Sequence, residues 1–266
     1  MSLITLVSLL SMALYLFAGV QFGREFFGTR KNRVKYATAA LMAGAVVHLF
    51  VLIVATTEHQ NEQLSLTFVA ALLAWLVTIT MLVANRFIKN LVFLPIVCLF
   101  SAVFVMLHYT FPATTGISLH MSIGLVSHIL LSLIAFGVLG ISTLYACQLS
   151  FINYQLKHKS KMMLHSGLPP LMAVENILYK LMTLGTFLLL VALGSGFVFV
   201  PNMFADGYAH KTILSSLALL TFLLALGIHK AIGLKARTAV VFNLIGIVLL
   251  GLGYFGSRLV REWLIT

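Results

Sequence analysis

The sequence predicts an all-α, polytopic integral membrane protein built as an eight-transmembrane-helix bundle with both termini outside the cytoplasm. Three observations carry this reading. Of 266 residues, 61% are hydrophobic and only 9% are charged, against about 25% charged in an ordinary soluble domain. So little charge cannot cover a globular surface in water, which excludes soluble, disordered and coiled-coil classes. Eight apolar runs are long enough to cross a bilayer, at about 20 residues each. Basic residues gather in alternate loops, the signature of a chain threaded back and forth through a membrane.

The eight runs are roughly Leu3–Phe22, Tyr36–Thr56, Leu64–Ala84, Leu91–Tyr109, Leu119–Gln148, Ile177–Val200, Thr212–His229 and Ala239–Ser257. The first has no basic leader and no small-x-small cleavage site, so it reads as a membrane helix and not as a removed signal peptide. The fifth is long enough to project beyond the bilayer as a continuous helix. The breaks hold polar residues, proline and glycine, as turns require: Thr57–Gln63, Pro112–Gly116, Pro169–Pro170, Pro201–Gly207 and Gly233. No internal repeat or second domain is visible, so residues 1–266 read as one transmembrane domain.

The net charge of +11 comes from 17 Lys and Arg against 6 Asp and Glu. One set of alternate loops holds Arg24, Arg30, Lys31, Arg33, Lys35, Arg86, Lys89, Lys157, Lys159, Lys161, Lys180, Lys230, Lys235 and Arg237. The other holds only Lys211, Arg258 and Arg261. That asymmetry makes the first side cytoplasmic. The positive charge therefore marks a membrane face and does not imply nucleic acid. The partner implied by composition is membrane lipid.

The interior excludes several chemistries. Cys98 and Cys147 lie in separate apolar runs with no Cys-x-x-Cys spacing, which argues against thiol–disulfide exchange and covalent haem attachment. No Asp, Glu, Lys or Arg falls deep in a span, so the carboxylate of a coupled transporter is missing. No hydrolase triad, phosphate loop or dinucleotide fingerprint occurs. The protein is expected not to be an enzyme.

What the spans do hold is histidine. Of nine histidines, six fall in the outer half: His48, His59, His108, His120, His128 and His210. A haem iron takes two axial donors on opposite faces of a flat apolar ring. Two histidines from different helices at one depth supply them. His128 and His210 form such a pair, and His48 and His120 are alternates. His120 and His128 are about 80° apart around a helix, so they need not share a pocket. No His-x-x-x-His pair with a nearby carboxylate favours zinc. The small residues Gly137, Gly140, Gly185, Ser195, Gly196, Gly246, Gly251, Gly253 and Gly256 permit close helix approach. Gln148, Asn176 and Asn243 are expected to hydrogen-bond between helices.

Four ordered stretches then show a family likeness. They are Ser127-His128-Ile129-Leu130 through Gln148, Leu168-Pro169-Pro170-Leu171 through Glu175 to Ser195-Gly196, His210-Lys211-Thr212-Ile213-Leu214-Ser215, and Gly253-Tyr254-Phe255-Gly256-Ser257-Arg258. Together they resemble the cytochrome c assembly family, which includes CcsA, CcmC and HemX, and most closely its HemX-like branch. The likeness covers residues 118–262 well and the first four spans by pattern. It implies a multi-pass protein of the bacterial inner membrane, with periplasmic termini, that handles haem or serves cytochrome complex assembly. It implies b-type haem as cofactor. His128 matches the histidine opening the family's core span, and His210 falls near the family's tryptophan-rich periplasmic motif. His48 matches a membrane histidine by position only. That tryptophan motif is itself absent: the two tryptophans are Trp75 and Trp263. The HemX-like branch implies a regulatory or partner role toward haem-synthesis enzymes, and the resemblance as a whole implies a partner in the membrane, either a cytochrome c maturation component or a metal transporter such as one of the CorC type. The alternative function is a haem-free scaffold or accessory subunit of such a transporter.

Overall fold

The computed structural model describes residues 3–27, 34–58, 66–87, 92–111, 122–158, 169–200 and 209–256. These form eight α-helices: α1 Leu3–Phe27, α2 Val34–Glu58, α3 Leu66–Phe87, α4 Leu94–Thr110, α5 Ile123–Lys157, α6 Leu171–Phe199, α7 Ala209–Ile232 and α8 Ala236–Gly251. A single π-helical turn, Leu252–Gly256, closes α8. No strand occurs among the described residues. Apolar side chains such as Phe17, Val46, Val103, Phe187, Leu223 and Val248 stand exposed on the helix surfaces, as lipid-facing residues should.

Seven helices are long and apolar enough to cross a membrane. The eighth apolar helix, α4, has 17 residues and so spans only about 25 Å. At the other extreme α5 has 35 residues, or about 52 Å, well beyond the roughly 30 Å hydrocarbon layer. The expected projecting fifth helix is therefore present, and it runs further than Gln148.

Helix starts differ from the hydropathy reading where local chemistry intervenes. Helix α4 begins at Leu94 and not Leu91, because Pro95 lies at the first helical positions, where its missing N–H costs nothing. Helix α5 begins after Ser122, whose hydroxyl accepts from the Leu125 N–H at 3.2 Å. Helix α6 begins at Leu171, six residues before the apolar run, because Pro170 at the N-cap leads the chain directly into it. Glu175 and Asn176 thereby join the helix. Between α7 and α8 the chain turns in three residues, and Gly233 takes a φ of 74° there, a left-handed conformation that glycine adopts without strain.

The helices pack in two compact units, α1–α4 and α5–α8 with the π turn. In the first, α1 packs on α2 and α4, and α3 on α2 and α4. Close approach follows from small residues: a Cβ on Gly44 would sit 3.3 Å from Leu14 Cβ, and one on Gly19 would sit 3.1 Å from Cys98 Cβ. Polar atoms tie these helices together. Ser11 Oγ donates to Gly44 O at 3.2 Å, Trp75 Nε1 to Ala45 O at 2.9 Å, and Thr78 and Ser101 hydroxyls pair at 2.7 Å.

The second unit nearly coincides with the stretch carrying the family likeness. Helices α5 and α6 form its most extensive contact, α8 lies on α5, and α7 lies on α6 and α8. Asn243, wholly buried, knots three of them together. It accepts from Ser142 Oγ at 2.7 Å and donates to Met182 Sδ at 3.5 Å. The expected interhelical role of Asn243 is thus present, while Asn176 lines an open groove on α6.

Candidate functional site

The site grows from the contact between the start of α5 and the end of α6. A Cβ on Gly124 would run into the Phe199 ring, so glycine lets the two helix ends meet. His128 stands in the second turn of α5 and is half-buried. Its Nδ1 lies 3.0 Å from the Ala192 carbonyl oxygen and 3.0 Å from Ser195 Oγ. Both acceptors sit near the end of α6, where Ala192 and Gly196 form the buried stripe.

These contacts settle the protonation of the ring. A carbonyl oxygen only accepts, so Nδ1 must carry the proton. Ser195 directs its own hydroxyl proton to Ala192 O at 2.8 Å, which leaves its lone pair for His128. The Nε2 of His128 is then the unprotonated nitrogen, with a lone pair to offer. Metal-binding imidazoles are held in the same way, by an outer hydrogen bond that fixes tautomer and ring orientation.

The π turn and α7 complete the same end of this unit. A Cβ on Gly253 would lie 3.5 Å from Leu214 Cβ and 3.6 Å from Lys211 O, so the turn rests on the start of α7. Tyr254 and Phe255 meet Phe136 of α5 edge-on, at 5.9 Å and 6.0 Å between ring centroids. The Tyr254 hydroxyl reaches Ser132, one turn along α5 from His128. His210 is the second residue of α7 and is exposed. The structure thus gathers His128, Ser195, His210 and Tyr254 at one end of the second unit.

The other candidates lie elsewhere. His48 belongs to the first unit and is wholly buried, at 0% exposure. Its Nδ1 is 3.1 Å from the Tyr15 hydroxyl, and its Nε2 has no hydrogen-bond partner. Such an atom costs about 1–3 kcal/mol when left bare. His120 lies outside the described residues, as do His59, His165 and the loop at 201–208. No group of three or more His, Cys, Asp or Glu able to hold a metal ion occurs among the described residues.

The sequence did not single out Ser195 as a partner for His128; it read Ser195 as a small packing residue. The available signal was depth, since Ser195 lies in the last third of the sixth apolar run and His128 in the first third of the fifth. Nor did it single out Tyr15 or the burial of His108, which is only 7% exposed.

An all-helical chain with seven helices long and apolar enough to cross a membrane is of the polytopic membrane class. The family model described as Cytochrome C assembly protein matches residues 34–265, and the chain belongs to that family. It is 33% identical to the inner membrane protein YpjD of Escherichia coli K12 over 236 residues, which is 88% of each chain. The YpjD proteins of E. coli O6:H1 and O157:H7 match to the same extent. No solved structure matches significantly. The chain is a multi-pass protein of the bacterial inner membrane.

Proposed function

We propose that this protein is a non-enzymatic, haem-binding member of the cytochrome c assembly family, serving cytochrome complex assembly or haem homeostasis. The observation that carries this reading is the locked tautomer of His128. Its Nε2 lone pair is the donor that a haem iron takes, and its Nδ1–H is spent on Ala192 O and Ser195 Oγ. His210, at the same end of the unit, would supply a second nitrogen donor to the iron. Bound there, b-type haem would supply an iron centre able to take and give one electron. The chain's own part is to orient the imidazole, exclude water with Phe136, Tyr254 and Phe255, and keep the ring neutral.

In this reading all eight helices cross the membrane and both termini are periplasmic. The fourteen basic residues on one set of loops, against three on the other, support that orientation. His128 and His210 then face the periplasmic side, where cytochrome c is assembled.

The test is the visible spectrum of the purified protein after expression with haem supplied. A Soret band is expected. His128→Ala and His210→Ala should each weaken or shift it. Ser195→Ala should shift it less, since Ala192 O still holds Nδ1–H. Absence of the band from the wild-type protein, or indifference to both histidine variants, overturns the proposal.

A further inference from the structure

One face of α6 in the second unit is left open. Asn176, Tyr179, Lys180, Thr183, Leu184 and Phe187 line a groove of about 580 Å³ there. Their spacing of three and four residues sets them along one stripe of the helix. Apart from Tyr179, all are exposed. The stripe is ordered by chemistry. An amide and an ammonium stand toward the start of α6, a hydroxyl in the middle, and two large apolar side chains beyond it. From Asn176 to Phe187 it runs about 16 Å, close to half of the roughly 30 Å hydrocarbon layer.

The polar end is basic and its floor is fixed. The Tyr179 ring stacks on His229 of α7 with centroids 3.3 Å apart. Its hydroxyl donates to Leu234 O in the α7–α8 turn at 3.4 Å. These contacts bring Lys230 and Lys235, the chain neighbours of His229 and Leu234, to the end of the groove that carries Lys180. All three lysines are exposed. Glu175 is the only acid among the described residues of this unit, and it lies about 140° around α6 from Lys180.

This arrangement selects its occupant. Positive charge in excess at one end calls for an anion. Exposed Leu184 and Phe187, at the depth of one leaflet, call for a hydrocarbon chain. Lys180 can lay its stem along that apolar surface and keep its ammonium at headgroup level. An anionic phospholipid joins both requirements in one molecule. A free phosphate would use only the polar end. An apolar partner helix would bury the Lys180 ammonium without an opposite charge.

We propose that this groove binds one anionic phospholipid, with its phosphate on Lys180, Asn176 and the lysines of the α7–α8 turn, and an acyl chain along Thr183, Leu184 and Phe187. The site is independent of the proposed haem site, because His128 meets the opposite end of α6.

The test is native mass spectrometry of the full-length protein in detergent, titrated with dioleoyl phosphatidylglycerol, dioleoyl phosphatidylcholine or glycerol phosphate. One phosphatidylglycerol is expected to be retained, about 5-fold or more tightly than phosphatidylcholine. Excess glycerol phosphate should not displace it. Lys180→Gln should weaken phosphatidylglycerol about 5-fold, the weight of one basic residue at an anionic lipid surface. Leu184→Trp, which fills the groove, should weaken both lipids. Arg24→Gln removes an exposed base from the first unit and should change neither. His128→Ala should alter any Soret band and leave lipid binding as it is, which separates the two proposals. In membranes, a phosphatidylglycerol with a diazirine in its acyl chain should label the protein at residues 183–187. Equal retention of the two lipids, displacement by glycerol phosphate, or equal effects of Arg24→Gln and Lys180→Gln overturns the proposal. So does labelling that appears only after detergent extraction, which would show another protein covering the groove.

Discussion

Two glycines on α6 allow the packing of the second unit to be measured against its own control. A Cβ on Gly185 would lie 2.7 Å from both Cγ and Cδ2 of Leu139 and 3.3 Å from the Leu139 backbone N. Leu139 is wholly buried, at 0% exposure, so its side chain has nowhere to retreat. Carbon contacts settle near 3.5 Å, so Gly185→Ala forces the helices apart by about 0.8 Å or pushes Leu139 off its rotamer. Overpacking of this kind costs about 1–3 kcal/mol. On the same helix, a Cβ on Gly194 would meet nothing within 4 Å. Both substitutions gain the same helix propensity, about 1 kcal/mol, and lose the same freedom in the unfolded chain. The difference between the variants therefore isolates the clash. Gly194→Ala should match or exceed the wild type in thermal stability in detergent, read by size exclusion after a heat step. Gly185→Ala should melt lower than Gly194→Ala by roughly 2–12 °C, at about 2–4 °C per kcal/mol. Equal midpoints for the two variants would refute the close α5–α6 contact.

Two further outcomes follow from the packing. Asn243→Leu removes one hydrogen bond to α5 and one to α6, and interhelical hydrogen bonds in membranes average about 0.6 kcal/mol each. A loss of about 1 kcal/mol is expected in a denaturant or SDS unfolding titration; an unchanged midpoint would show that the knot carries no stability. Cys147 is exposed on α5 and Cys98 is wholly buried. A lipid-soluble maleimide should label Cys147 in the native protein and reach Cys98 only after denaturation, as counted by mass spectrometry; native labelling of Cys98 would contradict the packing of α4 against Gly19.

The polytopic helical character was legible because it depends on sums over single residues. Hydropathy accumulates over about 20 positions and does not require knowing how one helix faces another. Seven of the eight expected runs became helices long and apolar enough to cross a membrane. Helix ends were less legible, because one residue decides them. Pro170 starts α6 earlier than its apolar run, and Pro95 starts α4 later. Those prolines and Ser122 were visible in the sequence, but the hydropathy window averages over them. The grouping of helices into two packed units leaves no mark on composition, since both halves are about equally apolar.

The histidines show where sequence reasoning stops. Their number and their bias toward one half of the spans could be counted, but ligand capacity depends on which nitrogen carries the proton. That is decided by partners far along the chain: Ser195 lies 67 residues from His128, and Tyr15 lies 33 residues from His48. At His128 a backbone carbonyl and a serine take Nδ1–H, which leaves Nε2 unprotonated. At His48 the partner of Nδ1 is the Tyr15 hydroxyl, a group that both donates and accepts. The surroundings differ as well: His128 is half-buried near a helix end, whereas His48 is wholly buried. A carbonyl partner dictates the tautomer and a hydroxyl partner does not, so the group met across the helix contact, and not the histidine itself, decides what each imidazole has to offer.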